Sequence, residues 1–497
     1  MGQRIFMESG FITFQKNMTD SLRPGLRLRP NEHRLLLLIG DLIASISAAF
    51  LSLFIWQQYS IYSLISLGVK PERAELLVRI QVPYWFYLLP LGWLLLMTEL
   101  YDPHAAANWL RTVRGITVAA FVGIVIYSLI FIFNRDPASL PRIVVGTYII
   151  LTSLLTIIWR VFYIRLYTST GLQRRVLIVG AGKAGLTLAR VYFEANPRPF
   201  TLVGFIDDDV QKINQLYEGY PVIGASRDLL AIIDQYRVSD VVMAITGDIQ
   251  GGTFQTILDV QEHGVEVTRM PILYEEITQR VPIHHLESDW LIRSFVDQLK
   301  VSVFYEVFKR LIDIIGGLIG LAIFILVFPF MALAILIDSG MPILYSQDRL
   351  GKGGQPFTIY KYRSMFHDAE ADKSYQPASQ HDPRVTRVGD FIRSLHLDEL
   401  PQFWNVLRGD ISLVGPRAER AQLVAEYQKQ IPFYRARLLV KPGLTGWAQI
   451  NYGYVASVTE TGIKLEYDLY YIKHRSFMMD LTIVLRTLGT VLSRKGR

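Results

Sequence analysis

Apolar positions gather into long runs early in the chain, into short strand-length runs in the middle, and into one more long run before a mixed final third. Leu35–Trp56, Val82–Leu100, Ile116–Phe133 and Ile143–Tyr163 each approach the roughly 20 residues a helix needs to cross a bilayer. They predict a four-helix transmembrane bundle over 35–165, behind a basic arm at 1–34. Between 172 and 285, short apolar runs at Val176–Val179, Thr201–Ile206, Asp240–Thr246 and Gly264–Thr268 alternate with helical stretches such as Arg227–Tyr236 and Gly252–His263. That alternation predicts a parallel sheet covered by helices, a Rossmann-like domain. After a linker at 286–308, Leu311–Ile337 is again apolar and holds Gly316, Gly317, Gly320 and Pro329. A straight helix of that length would run ~40 Å, but an internal proline removes a backbone hydrogen bond and bends a helix. The segment 309–338 therefore reads as a re-entrant membrane helix, followed by a mostly α-helical domain at 339–497. The predicted fold class is a membrane protein combining α and α/β parts.

Charge gives these segments a direction. Arg23, Arg27, Arg29 and Arg34 precede the first run, Arg111 and Arg114 lie between the second and third, and Arg165, Arg174 and Arg175 follow the fourth. The third-to-fourth loop has only Arg135 and Arg142; Lys70, Arg73 and Arg79 blur the first external loop. The balance favours both ends of the bundle in the cytoplasm of a multi-pass protein. A fifth crossing would then put the last domain outside, whereas a re-entrant helix keeps it inside. The first apolar run is too long and starts too late for a cleavable signal. With 51% hydrophobic residues, a mean hydropathy of +0.26 and a pI near 9.2, disorder is excluded and one part belongs in lipid. The net charge of +7 sits beside apolar spans and in a phosphate-like motif, so a bilayer, and no nucleic acid, is the expected partner. The absence of cysteine excludes disulfides and thiol-based catalysis or metal binding.

Arg175-Val-Leu-Ile-Val-Gly180-Ala-Gly182-Lys-Ala-Gly185 has the order strand, glycine turn, helix start, and Asp207 ends the next strand. A working nucleotide site would place phosphates on the turn around Gly180, Gly182 and Gly185 and a ribose on Asp207. A vestigial site, in a fold retained without a cofactor, is the favoured reading. A membrane-attached, NAD-dependent nucleotide-sugar dehydratase or epimerase would also need a Tyr/Lys pair at four-residue spacing, and Tyr305 and Lys309 provide one. They adjoin a membrane segment, where such residues are ordinary anchors. A non-catalytic scaffold is a third alternative.

The strongest chemistry lies in Arg393-Ser-Leu-His-Leu-Asp398-Glu399-Leu-Pro401, continued to Arg408-Gly-Asp410 and Gly-Pro416-Arg417. Two adjacent carboxylates precede a proline suited to the first turn of a helix, with arginines on both sides. A phosphate could dock on the helix start and guanidinium groups while one carboxylate attacks it and the other holds a metal. Arg393 and Arg417 are the expected phosphate clamps, and Lys361 and Arg363 follow them. Asp410 either caps a turn or reaches the metal, and the tail helix Asp480–Leu492 either lies on the membrane or packs on the domain.

These residues resemble the bacterial sugar transferase family, the monotopic phosphoglycosyl transferases. The resemblance runs through Leu350-Gly-Lys352-Gly-Gly-Gln-Pro-Phe-Thr-Ile-Tyr-Lys361-Tyr-Arg363, Asp382-Pro-Arg384-Val-Thr-Arg387 and Val440-Lys441-Pro-Gly-Leu-Thr-Gly-Trp447. It implies that Asp398 is the nucleophile and that Glu399 serves Mg²⁺. It also implies a UDP-sugar donor, glucose or galactose first, and undecaprenyl phosphate as acceptor. UMP would be released through an aspartyl phosphosugar, at the start of capsule, exopolysaccharide or O-antigen synthesis in the bacterial inner membrane. Larger family members likewise carry a four-helix bundle and a middle domain of this kind, and a homodimer is compatible with the reading. Ala418 departs from a usual proline and His396 from a usual Ser or Thr.

Overall fold

The computed structural model describes residues 30–78, 82–133, 142–168, 173–245, 251–285, 302–366, 382–453 and 457–492. Its contacts divide the chain into two units, 1–273 and 274–497. Among the described residues four helices are long and apolar enough to cross a membrane: Glu32–Ser66, Trp109–Ser128, Arg142–Tyr167 and Val303–Ser339.

In the first unit, α1 (Pro30–Ser66), α3 (Trp109–Phe133) and α4 (Arg142–Tyr167) realise three of the expected spans. The Val82–Leu100 run does not form one straight helix. It is a 3₁₀ turn at Tyr84–Leu88, a short α2 at Leu89–Leu96 and a second 3₁₀ turn at Thr98–Tyr101. Pro83 and Pro90 each withhold a backbone donor, so the apolar run is broken although its composition suits lipid. The break has a use. Leu100 closes with a carbonyl free to accept from Arg160 Nη1 at 2.9 Å, while Arg160 Nη2 pairs with Asp41 at 2.6 Å, both side chains fully buried. Ser45 and Tyr148 add a 2.6 Å hydrogen bond between α1 and α4, and Trp93 Nε1 donates to Thr156 from the broken element.

The sheet in this unit has the order β3-β4-β2-β1-β5-β6, with β1 Arg175–Val179, β2 Thr201–Ile206, β3 Leu216–Tyr217, β4 Tyr220–Gly224, β5 Asp240–Met243 and β6 Glu266–Arg269. All neighbours are parallel except the β3/β4 hairpin. Its β-branched and leucine side chains, with Leu229, Ile232 and Ile233 of α6 (Leu229–Tyr236), form a core. The helix after β1 is α5 (Lys183–Glu194), and α7 (Gly251–Glu262) precedes β6.

The second unit is built on α8, Val303–Ser339, which is helical throughout with Pro329 inside it. Along one face, Gly316, Gly317 and Gly320 leave room for Leu413, Leu407 and Phe403. Farther on, Phe324 and Phe328 meet Tyr362, and Ile335 lies with Tyr362 and Ile392. The other face exposes Leu311, Ile315, Leu318, Leu326 and Phe330. Both ends of α8 are fastened to the same unit. Lys309 donates to Asp480, to Tyr471 and to the Val414 carbonyl, and Asp313 accepts from Ser412 and Leu413. At the exit, Asp338 accepts from Val388 N at 2.9 Å, inside the first turn of α9 (Arg387–Ser394).

The rest is a hairpin of β7 (Leu344–Leu350) and β8 (Pro356–Tyr362), the short α10 (Phe403–Arg408), a parallel pair β9 (Ser412–Val414) and β10 (Gly443–Thr445), and α11 (Ala421–Gln430), α12 (Val458–His474) and α13 (Phe477–Leu492). Ile483 and Leu485 of α13 are buried, so the tail helix packs on this core.

Asp41→Asn should lower the thermal midpoint in detergent sharply, because a charged Arg160 left alone in the bundle costs about 3–5 kcal/mol. The double change Asp41→Leu with Arg160→Met should recover most of it; an unchanged midpoint in Asp41→Asn would contradict the pairing.

Candidate active site

Asp398 and Glu399 do not open an α-helix. They lie in a 3₁₀ turn, Leu397–Gln402, that runs into α10, entered through His396 in the left-handed region at φ 55°. Both carboxylates fall in the first turn of this element and both lie within reach of Lys361, whereas Pro401 sits inside it, past the first turn.

Period-two alternation in β8 sends Tyr362 toward α8 and Lys361 the opposite way, to the carboxylates. Lys361 Nζ lies 2.8 Å from Glu399 Oε1 and 3.8 Å from Asp398 Oδ2. Arg417 Nη2 reaches the same Glu399 oxygen at 2.8 Å, while its side chain stays 42% exposed, open to a ligand. Burial would raise the Glu399 pKa, but Arg417 and Lys361 hold the carboxyl well below its usual range. Asp398 is pushed up, by burial first and by its neighbour Glu399, against the pull of Lys361, Arg417 and Arg393. Arg393, in the last turn of α9, thus acts on Asp398 through space, and no ion pair ties it to a described residue.

Arg363 is elsewhere. Its Nη1 donates to the Met341 carbonyl and its Nη2 to Ser339 and Gly340, so the fork closes the C-terminal end of α8. The expectation that it binds phosphate is corrected on that ground: its strongest donors are already spent on carbonyls that the helix leaves unpaired.

Asp410 is likewise structural. It accepts from Asn405 Nδ2 at 3.0 Å and lies 3.3 Å from Arg408 Nε. Asn405, fully buried, also donates to Thr358 O and accepts from Tyr360 N, joining α10 to the strand that carries Lys361. Tyr305 and Lys309, the pair a dehydratase would need, both bond Asp480. In the sheet, Gly180 has φ +109°, and Gly185 approaches the Gly180 carbonyl so closely that no Cβ fits. Asp207 accepts from Ala181 N at 2.8 Å and from Lys212 Nζ at 3.0 Å, closing over the glycine turn. The described residues include no cluster of three or more His, Cys, Asp or Glu that could hold a metal by itself.

The model of the family described as bacterial sugar transferase matches residues 304–494, and one described as a CoA-binding domain matches 97–253. A UDP-N-acetylgalactosamine-undecaprenyl-phosphate N-acetylgalactosaminephosphotransferase of Aeromonas hydrophila is 42% identical over 47% of this chain and 53% of its own length. An undecaprenyl-phosphate glucose phosphotransferase of Komagataeibacter xylinus is 32% identical over 69% of this chain and 61% of its own. A UDP-glucose:undecaprenyl-phosphate glucose-1-phosphate transferase of Xanthomonas campestris pv. campestris is 30% identical over 65% and 67%. The chain belongs to the bacterial sugar transferase family.

In this member of the family one group of residues escaped the sequence reading. Arg437, buried, donates to Tyr434 Oη at 2.7 Å, to the Arg417 carbonyl at 2.9 Å and to Asp468 at 3.0 Å. Beside it Glu419 pairs with Lys464 at 3.0 Å and, burial notwithstanding, is held down to about 2 by Lys464 and Arg437. These residues position the segment that presents Arg417, and Arg349 donates to the Ala418 carbonyl next to it. The only sequence signal was a pair of arginines, Arg435 and Arg437, in the apolar run before Val440.

Arg363→Lys keeps the charge but loses the fork. It should cost about 1.5–3 kcal/mol of stability in thermal unfolding, the worth of a charge-assisted hydrogen bond, without weakening phosphate binding. Unchanged stability with weakened phosphate binding would restore Arg363 as a ligand.

Proposed function

We propose that this protein transfers hexose 1-phosphate from a UDP-sugar to undecaprenyl phosphate and releases UMP, starting assembly of a capsule, exopolysaccharide or O-antigen. The observation that carries the reading is the buried Asp398–Glu399 pair facing Lys361, Arg393 and Arg417, in a unit seated on an apolar helix. The activities of these relatives fit the same reaction. Their sugars differ, being glucose and N-acetylgalactosamine, so the donor's sugar is read only as a hexose.

Asp398 attacks the sugar-linked phosphorus; an Oδ–P bond forms as the P–O bond to UMP breaks. A phosphate oxygen of the lipid then attacks the same phosphorus and frees the carboxylate. Lys361 and Arg417 draw the donor's phosphates in and offset charge on them, and Arg393 favours ionised Asp398. The hard carboxylate oxygens of Glu399 would suit Mg²⁺, which commonly takes one or two carboxylates plus substrate phosphates. When bound, Mg²⁺ would neutralise the diphosphate and assist departure of UMP.

Re-entry of α8 is part of the proposal. Hydrocarbon ~30 Å thick would separate the ends of a spanning helix, yet Lys309, Asp313 and Asp338 all fasten to one unit. That favours a catalytic unit on the cytoplasmic face of the inner membrane, where nucleotide sugars are. The parallel sheet with Gly180, Gly182, Gly185 and Asp207 reads as a Rossmann-like domain, and the Asp207 carboxylate lying over the turn favours a fold kept without a cofactor.

A panel of UDP-glucose, UDP-galactose and UDP-N-acetylgalactosamine with undecaprenyl phosphate should give UMP release with at least one donor; none with any donor would remove the assignment. Because Lys361 opposes the burial that raises Asp398, Lys361→Met should shift the acid limb of the pH–rate profile to higher pH. An acid limb left in place would detach Lys361 from the nucleophile. For topology, the cysteine-free chain allows Gln211→Cys and Lys429→Cys, both exposed positions. In intact cells neither should react with a membrane-impermeant thiol reagent, and both should react after lysis. Labelling of position 429 alone in intact cells would mean that α8 spans.

A further inference from the structure

A second concentration of positive charge lies at the membrane entry of α8. Gly409 ends α10 with φ +87°, and a Cβ built there would stand 3.4 Å from Lys441 Nζ and 3.6 Å from Arg310 Cζ. The two cationic groups therefore meet beside the glycine that ends α10. Arg310 is held rigid, with Nη1 and Nη2 donating to the carbonyls of Val406 and Leu407 at 2.8 and 2.6 Å. Lys441 has no ion pair with a described residue. The carboxylates that face it are committed: Asp313 to Ser412 and Leu413, Asp410 to Asn405 and Arg408. Burial lowers the Lys441 pKa, and Arg310 and Lys352 lower it further against Asp313 and Asp410, the sign of a lysine short of negative charge. These groups do not overlap with those acting on Asp398, which are Lys361, Glu399, Arg417 and Arg393. Val307, Phe308 and Leu311, on either side of Arg310 in α8, are exposed apolar residues, which sets this corner at the level where hydrocarbon gives way to headgroups.

We propose that Lys441, backed by the charge of Arg310, whose Nη donors are taken by the carbonyls at the end of α10, forms an anion site separate from the Asp398 centre that holds the phosphodiester of an anionic membrane phospholipid. The chemistry required is a single phosphate with its apolar tails along the exposed face of α8. Such a lipid would supply the negative charge that the protein omits and fix the depth at which α8 enters the bilayer.

The test is native mass spectrometry of the full chain released from nanodiscs of mixed phosphatidylglycerol and phosphatidylcholine. The wild type should retain phosphatidylglycerol preferentially. Lys441→Gln should reduce that preference about fivefold, the effect of one basic group at a membrane surface, and Lys441→Arg should restore it. A thermal midpoint equal to the wild type's shows that the variant is folded; Lys352→Gln should show a smaller loss in the same direction. Unchanged retention in Lys441→Gln, or equal loss of both lipids, overturns the proposal. Displacement of phosphatidylglycerol by millimolar inorganic phosphate would make this a free-phosphate site. A raised KM for undecaprenyl phosphate with phospholipid retention intact would place Lys441 in the substrate site. Either result also overturns it.

Discussion

Two neighbouring carboxylates withdrawn from water repel each other and lose hydration, so they stay in place only where fixed positive charge surrounds them. Much of the second unit answers that demand. β8 delivers Lys361, the segment after β9 delivers Arg417, and α9 brings Arg393 within electrostatic reach. The result is unequal: Glu399 takes both short contacts and is held ionised, while Asp398 keeps a longer one and a raised pKa. In the proposed reaction this asymmetry would divide the labour, since a carboxylate not tied up by hydrogen bonds is the better nucleophile and a strongly ionised partner the better metal ligand.

That charge arrangement depends on how α8 is seated. The strand bearing Lys361 packs on α8 through Tyr362, the next residue, and Arg363 closes the helix end immediately after. The helix that carries Arg393 is capped by Asp338, at the exit of α8. Three consecutive residues thus link the reacting carboxylates, the apolar helix and its terminus. The membrane segment is part of the scaffold of the reaction centre as well as an anchor, which suits chemistry between a lipid-bound phosphate and a soluble nucleotide.

Apolar periodicity was enough to find α1, α3, α4 and α8, and alternation was enough for the parallel sheet. The Val82–Leu100 run misled because hydropathy measures affinity for lipid and does not register the donors lost at Pro83 and Pro90. The β3/β4 hairpin was missed because β3, two residues long, leaves no period to read. At the site, motif order picked out Asp398, Glu399, Lys361 and Arg417, which the fold brings together, whereas Arg363, two residues from Lys361, bonds the helix end. Alternation along a strand would put both on one face, but β8 ends at Tyr362, so Arg363 leaves the strand's register, and where it then reaches is a tertiary fact. The Arg437–Asp468 pair was unreadable for the same reason, since its members lie 31 residues apart and meet only in the fold.

The central claim is that Asp398 forms a covalent bond to the sugar phosphate before the lipid acceptor takes part. Intact-protein mass spectrometry after mixing the enzyme with Mg²⁺ and the active UDP-sugar, with no acceptor present, tests this most directly. The account predicts a mass increase of one hexose phosphate, mapped to Asp398, absent from Asp398→Asn and discharged on adding undecaprenyl phosphate. Turnover in Asp398→Asn near the wild-type rate, with no adduct in either protein, would contradict it and require direct transfer between the two bound substrates.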